Sequence, residues 1–418
     1  MKYKTYNCNS FNIYTIKTDR FKTSHLEVIF KNVLKKEEIG TYSFLADMLS
    51  EGCKKYPRKK DLITRFEELY KIVIYASTMR VGNVIDLHVS LDFINPEYIE
   101  DEGYIEDVIK TLFEVILNPN VCNDEFDLKT FNIVKERLRR EINSLKENPV
   151  KQSIKEAIKT MDSNSPTSYE ILGTIEELEN ITPAKLYNAY KSLRKNFKVD
   201  VFLIGNLDMD NVASLIKKYF KNRYIVSDNF EVMVDNKETK KVKEKTMKSD
   251  NIQTNLVMLF NLKNLSELEK NITLNCFNYL YGSGGLTSKL YKSIREENSL
   301  CYAINSMYLK YDKLLMVQIS LDNCNVKKAI SLVKKELKSM QNGNFSEEEV
   351  RDAINNIISL DMSLDNNIAI LNNYVFNIYD KLPSIEERKE YFKKLTKEDI
   401  VNVSKKVKLN TIFTLEGR

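Results

Sequence analysis

The sequence predicts an α+β protein of two homologous domains, and three observations predict it. Its 418 residues exceed the ~150 residues of an ordinary domain. Runs with the period of a strand and runs with the period of a helix alternate in both halves, in a shared β-α-ββ-α order. A capped helix followed by a strand recurs near the end of each half, which is the mark of an internal duplication.

Taken in order, residues 11–16 and 25–30 alternate apolar and polar side chains and read as strands. Ile39, Tyr42, Leu45 and Leu49 fall on one helical face, and Gly52 follows where a helix ends. Residues 72–76 and 84–91 are strand-like again. Helical spacing then covers 105–117, 124–145 and 150–161, interrupted at Asn118-Pro119 and Asn148-Pro149. Residues 186–193 predict a helix, 199–204 a strand and 212–220 a helix. Residues 229–250 change character: the stretch Asp235-Asn236-Lys237-Glu238-Thr239-Lys240-Lys241 has almost no large apolar residue and reads as a linker. That places an N-terminal domain at 1–228, a linker at 229–250 and a C-terminal domain at 251–418.

In the second half, strands are expected at 256–262, 301–309, 314–321 and 411–415. Helices are expected at 272–281, 286–297, 326–340, 347–372, 385–392 and 398–407. Thr182 and Thr396, Asn188 and Asn402, and Lys191 and Lys405 match at one common offset. Each Thr stands at the N-cap of a helix whose following strand ends in glycine.

Composition excludes several classes. Hydrophobic residues make up 43% and charged residues 29%, the balance of a chain that buries a core and is not disordered. No apolar run reaches the ~18 residues of a membrane helix, and the polar, alternating start lacks the apolar centre of a signal peptide. The net charge of +5 comes from interspersed signs and argues for no nucleic acid. Six cysteines without a C-x-x-C pair read as reduced thiols of a cytoplasmic protein. With two histidines, His25 and His88, an H-x-x-E-H zinc helix is impossible. Both lie in alternating runs and read as half-exposed strand residues. Gly282-Ser283-Gly284-Gly285 lacks the G-K-[ST] step of a phosphate loop and reads as a tight turn.

Several segments resemble one peptidase family. Phe44-Leu45-Ala46-Asp47-Met48-Leu49-Ser50-Glu51-Gly52-Cys53-Lys54-Lys55-Tyr56-Pro57, Leu172-Gly173-Thr174-Ile175-Glu176-Glu177-Leu178, Ile204-Gly205-Asn206-Leu207-Asp208 and the run LYKSIREENSLCY from Leu290 to Tyr302 are similar to motifs of the insulinase/pitrilysin zinc peptidases. The match is to the two-domain branch related to mitochondrial processing peptidase, and the segments come in that family's order. The resemblance implies two α/β-sandwich domains, each a mixed sheet with helices on one side, arranged as a clam shell.

The resemblance also implies what is missing. The family's motif histidines and glutamate fall on Ser43, Ala46 and Asp47, and its third zinc ligand on Glu141 in Arg139-Arg140-Glu141-Ile142. Positions i, i+3 and i+4 share one helix face, which lets two imidazoles grip zinc while a carboxylate activates its water. Ala46 has no proton-accepting atom, so no zinc proteolysis is expected from this chain alone and no metal is assigned to it. Ser43, Asp47 and Glu141 could offer only oxygen donors, suited to a hard cation.

What survives is the other half of such a site. Arg295 and Tyr302 match the residues that, in the family, bind the substrate carbonyl and the developing oxyanion from the second domain. The resemblance implies a catalytically incomplete subunit of the kind found in bacterial paired peptidases. Its sister subunit carries H-x-x-E-H and the zinc, and the pair cleaves peptides. The alternative is a non-enzymatic peptide-binding or assembly subunit of the same fold. A stand-alone hydrolase using Ser43 would need a base beside it, and Asp47, one turn away, is a poor one.

Overall fold

Alternating apolar residues put one oily face on the first sheet and call for a helical layer to cover it. The computed structural model describes residues 3–221, 224–227, 229–362 and 385–418. The described residues fall into two compact units, those within 3–143 and 169–232, and those within 144–168, 233–362 and 385–418.

In the first unit β1 (Lys4–Cys8), β2 (Phe11–Lys17) and β3 (Thr23–Val33) precede helices α1 (Ile39–Leu49) and α2 (Lys59–Glu68). Strands β4 (Val73–Val81) and β5 (Val84–Ile94) turn at Gly82, whose φ of 57° suits a two-residue hairpin. Helix α3 (Tyr104–Leu117), a small hairpin of β6 (Val121–Cys122) and β7 (Glu125–Phe126), and α4 (Leu128–Glu147) follow. Asn123 and Asp124, both at positive φ, make that hairpin's turn, so the helix expected from 124 begins at Leu128. Beyond α5 (Pro149–Asp162) come α6 (Ile175–Glu179), α7 (Pro183–Asn196), β8 (Lys198–Gly205) and α8 (Met209–Tyr219). The sheet runs β1-β2-β8-β3-β5-β4, with β2 parallel to β8 and the other neighbours antiparallel.

The second unit holds β9 (Lys243–Lys248), β10 (Thr254–Leu262), β11 (Cys301–Leu309), β12 (Leu314–Leu321) and β13 (Val407–Glu416) in the order β11-β12-β10-β13-β9. Its helices include α9 (Leu274–Asn278), flanked by π-helical turns, α10 (Val326–Gln341), α11 (Glu347–Met362), α12 (Ile385–Lys393) and α13 (Lys397–Ser404). The expected helix 347–372 is seen as α11, and its remainder lies outside the described residues. Strand for strand, β9-β13-β10-β12-β11 repeats β2-β8-β3-β5-β4, including the single parallel pair. Thr182 and Thr396 each accept a hydrogen bond from the backbone N–H three residues on, as their matched positions predict.

Three expectations need correction. Residues 229–250 are not a featureless connection: β9 pairs with β13 from Thr411↔Lys243 to Glu416↔Lys248. Asn236 is also buried, accepting from Ser165 Oγ at 2.6 Å and donating to the Asp312 carbonyl at 2.7 Å. An edge strand needs backbone pairing but no apolar face, and KEKTMK leaves five of its six side chains exposed. Second, α5, expected in the N-terminal domain, lays Ala157 and Met161 against Val257, Leu259, Met316 and Phe413 of the second sheet. Third, both histidines are buried, His25 at 2% and His88 at 8% exposure. They lie on the first sheet's second face, where carboxylates meet them and replace water.

Candidate functional site

Helix α1 carries the positions of the lost motif and is buried along almost its whole length. Ser43 is a structural hydroxyl. Its Oγ donates to the Ile171 carbonyl at 2.5 Å and lies 2.6 Å from Thr78 Oγ1 on β4. With its proton on a backbone carbonyl and no base beside it, Ser43 is not arranged as a nucleophile. Ala46 is 1% exposed and packs in the apolar core.

Asp47 faces α4, where Arg137 Nη2 lies 3.3 Å from its Oδ2 while Nη1 reaches Glu51 Oε1 at 2.8 Å. Burial pushes the Asp47 carboxyl above its usual range, against the pull of Arg137. Sequence reasoning missed Arg137 and Glu51. The signal was available: Glu51 is one turn past Asp47, and Arg137 one turn before Glu141. Glu141 itself is exposed, with no hydrogen bond or ion pair among the described residues.

Ser43, Asp47 and Glu141 therefore do not gather as a donor set. Among the described residues no three His, Cys, Asp or Glu side chains come together to hold a metal ion. The hydroxyl is spent on a carbonyl, one carboxylate on a guanidinium, and no imidazole is present. Zinc does not fit these residues.

In the second unit Arg295 closes a π-helical turn, Tyr291–Glu296, that follows the turn at Gly285. Its guanidinium stacks over the Tyr291 ring at 5.0 Å, is exposed, and forms no ion pair among the described residues. Tyr302 stands on β11, at one edge of the sheet, and is 53% exposed. Its hydroxyl donates to Asp322 Oδ1 at 2.9 Å, and that bond raises its pKa. An exposed guanidinium and a phenol are the donor types an oxyanion requires, although the phenol's proton is engaged by Asp322.

This arrangement can be set beside known proteins. The family described as "Peptidase M16 inactive domain" matches residues 180–357. The "Probable inactive metalloprotease YmfF" of Bacillus subtilis (strain 168) is 26% identical over 416 residues, covering 96% of this chain and 95% of its own. The crystal structure of a conserved protein from Enterococcus faecalis V583 is similar with a TM-score of 0.92 at 23% identity, over 100% of this chain and 99% of that one. That of a peptidase M16 inactive domain from Pseudomonas fluorescens has a TM-score of 0.81 at 16% identity, over 100% and 99%.

Fold and site together describe two α/β units with a peptidase-like fold in which, among the described residues, no cluster of His, Cys, Asp and Glu gathers to hold a metal. Residues 180–357 thus match the M16 inactive-domain family, and the whole chain is similar to a probable inactive metalloprotease; the motif positions Ser43, Ala46 and Asp47 carry no histidine.

Proposed function

We propose that this chain is the non-zinc subunit of a heterodimeric metallo-endopeptidase acting on peptides. The observation that carries the reading is an asymmetry between its two motif sets. The metal positions of α1 are absorbed into structural bonds, whereas Arg295 is exposed and meets no carboxylate among the described residues.

In this reading a sister subunit with H-x-x-E-H supplies the zinc and its activated water. Arg295 and Tyr302 bind the substrate carbonyl and steady the negative charge that grows on it. Tyr302 exchanges Asp322 for the substrate oxygen as it does so. Six free thiols and the lack, among the described residues, of a helix long and apolar enough to cross a membrane support a cytoplasmic setting.

A second reading, a non-enzymatic peptide-binding or assembly subunit, is favoured by the engaged Tyr302 hydroxyl and by β4. That strand ends the first sheet with Val73 and Tyr75 exposed, as strand-edge capture of an extended peptide needs. Turnover of a quenched fluorescent peptide library, by this chain, by its H-x-x-E-H sister and by the mixture, separates the two. The first reading expects chelator-sensitive turnover in the mixture above the sister's own rate. A stable complex without that gain would favour the second.

A further inference from the structure

We propose that Arg137 is a built-in cation: its guanidinium joins α1 to α4 in the place where a zinc-bearing relative joins these helices through a metal. The proposal rests on the family register of Ser43, Asp47 and Glu141, and not on the partner role of the second unit.

Three observations carry it. Asp47, in the register of a motif histidine, does not face water alone but meets Arg137 Nη2 at 3.3 Å. The other nitrogen of the same fork meets Glu51 Oε1 at 2.8 Å, so one planar cation spans two carboxylates of the α1 end. Arg137 also shares its helix face with Glu141, four residues on, in the register of the third ligand. The link thus runs between the two helices that the motif assigns to the metal.

The electrostatics require a cation at this point. Glu51 is 10% exposed and Asp47 28%, and both reach the same guanidinium. Lys59 Nζ, the other cation near them, stands 3.8 Å from Glu51, too far for a strong hydrogen bond. Burial works against the charge of Arg137, yet the two carboxylates hold it firmly protonated. A family member that loses its imidazoles but keeps acidic groups at this helix junction must neutralise them in another way, and a guanidinium on α4 does so without metal.

Thermal unfolding of the full chain tests this with wild type, Arg137→Gln and the neutral triple variant Asp47→Asn/Glu51→Gln/Arg137→Gln, each in EDTA and in millimolar Mn²⁺. Wild type is expected to melt alike in both. In EDTA, Arg137→Gln is expected to melt ~3–6 °C lower, because the buried Glu51 and part-buried Asp47 carboxylates lose their cation. Mn²⁺, a hard cation suited to oxygen donors, is expected to recover much of that loss. The neutral triple variant is expected to melt close to wild type and to ignore Mn²⁺. The proposal is overturned if Arg137→Gln melts like wild type in EDTA. It is also overturned if the triple variant is as destabilised as the single one, or if Mn²⁺ leaves Arg137→Gln unchanged.

Discussion

His88 Nδ1 lies 2.8 Å from Glu27 Oε1 on neighbouring strands of the first sheet, and both side chains are buried. Burial by itself lowers an imidazole pKa, but the Glu27 hydrogen bond and charge, with Asp86 and against Lys31, raise that of His88. Burial likewise raises the Glu27 carboxyl, and His88 overrides it, so Glu27 is held low. The signs set a window. A raised histidine contributes stability that is complete below its unfolded value near 6.5 and is lost as pH climbs through the folded value. A depressed carboxylate contributes stability that is present above its unfolded value and lost as pH falls through the folded one. Denaturant unfolding followed from pH 6 to pH 9 should therefore show stability falling with pH, and Glu27→Ala should remove most of that slope. The variant should also cost about 3–5 kcal/mol at pH 6, since it leaves a buried charge unpaired. A slope equal in both proteins would sink the assignment. None of this pairing was legible in the sequence, because alternation reports which face a side chain takes and not what covers that face.

At the scale of elements, α1 was readable from its spacing, but its fit against the rest of the first unit was not. The start of the helix at Gly40 lies against Gly173: a Cβ on Gly173 would stand 2.8 Å from Gly40 Cα, and its φ is +73°. Here the L-G-T turn that the family resemblance singled out has a physical reason: backbone meets backbone, with no room for a side chain. Gly173→Ala is expected to cost about 1–3 kcal/mol in urea unfolding. Gly40→Ala should cost less, its nearest contacts being 3.1 and 3.3 Å. Equal stability of Gly173→Ala and wild type would contradict the close approach. The N-caps at Thr182 and Thr396 were legible because the capping side chain and its target lie three residues apart. Strand β9 was not legible locally, since charged side chains at a sheet edge look like any solvated run. Its counterpart in the first unit is β2, which precedes β3 as β9 precedes β10.

Over the whole molecule, the duplicated topology was largely readable, and the assignment of α5 to the second sheet was not. Sequence places Pro149–Asp162 beside its neighbours in the chain, while packing places Ala157 and Met161 on Val257, Leu259, Met316 and Phe413. A fragment of residues 251–418 is therefore expected not to fold cooperatively by circular dichroism and thermal melting. It lacks both the edge strand β9 and the helix that covers this apolar face. A sharp melt from that fragment would show that α5 and β9 are dispensable. In the proposed role Arg295 and Tyr302 bind substrate for a zinc held by the partner subunit. The most direct measurement is kcat of the reconstituted pair with wild type, Arg295→Ala or Tyr302→Phe, at matched complex formation. Loss of an oxyanion-binding group is expected to lower it by roughly 10²–10³. Unchanged turnover in both variants, with the complex intact, would contradict it.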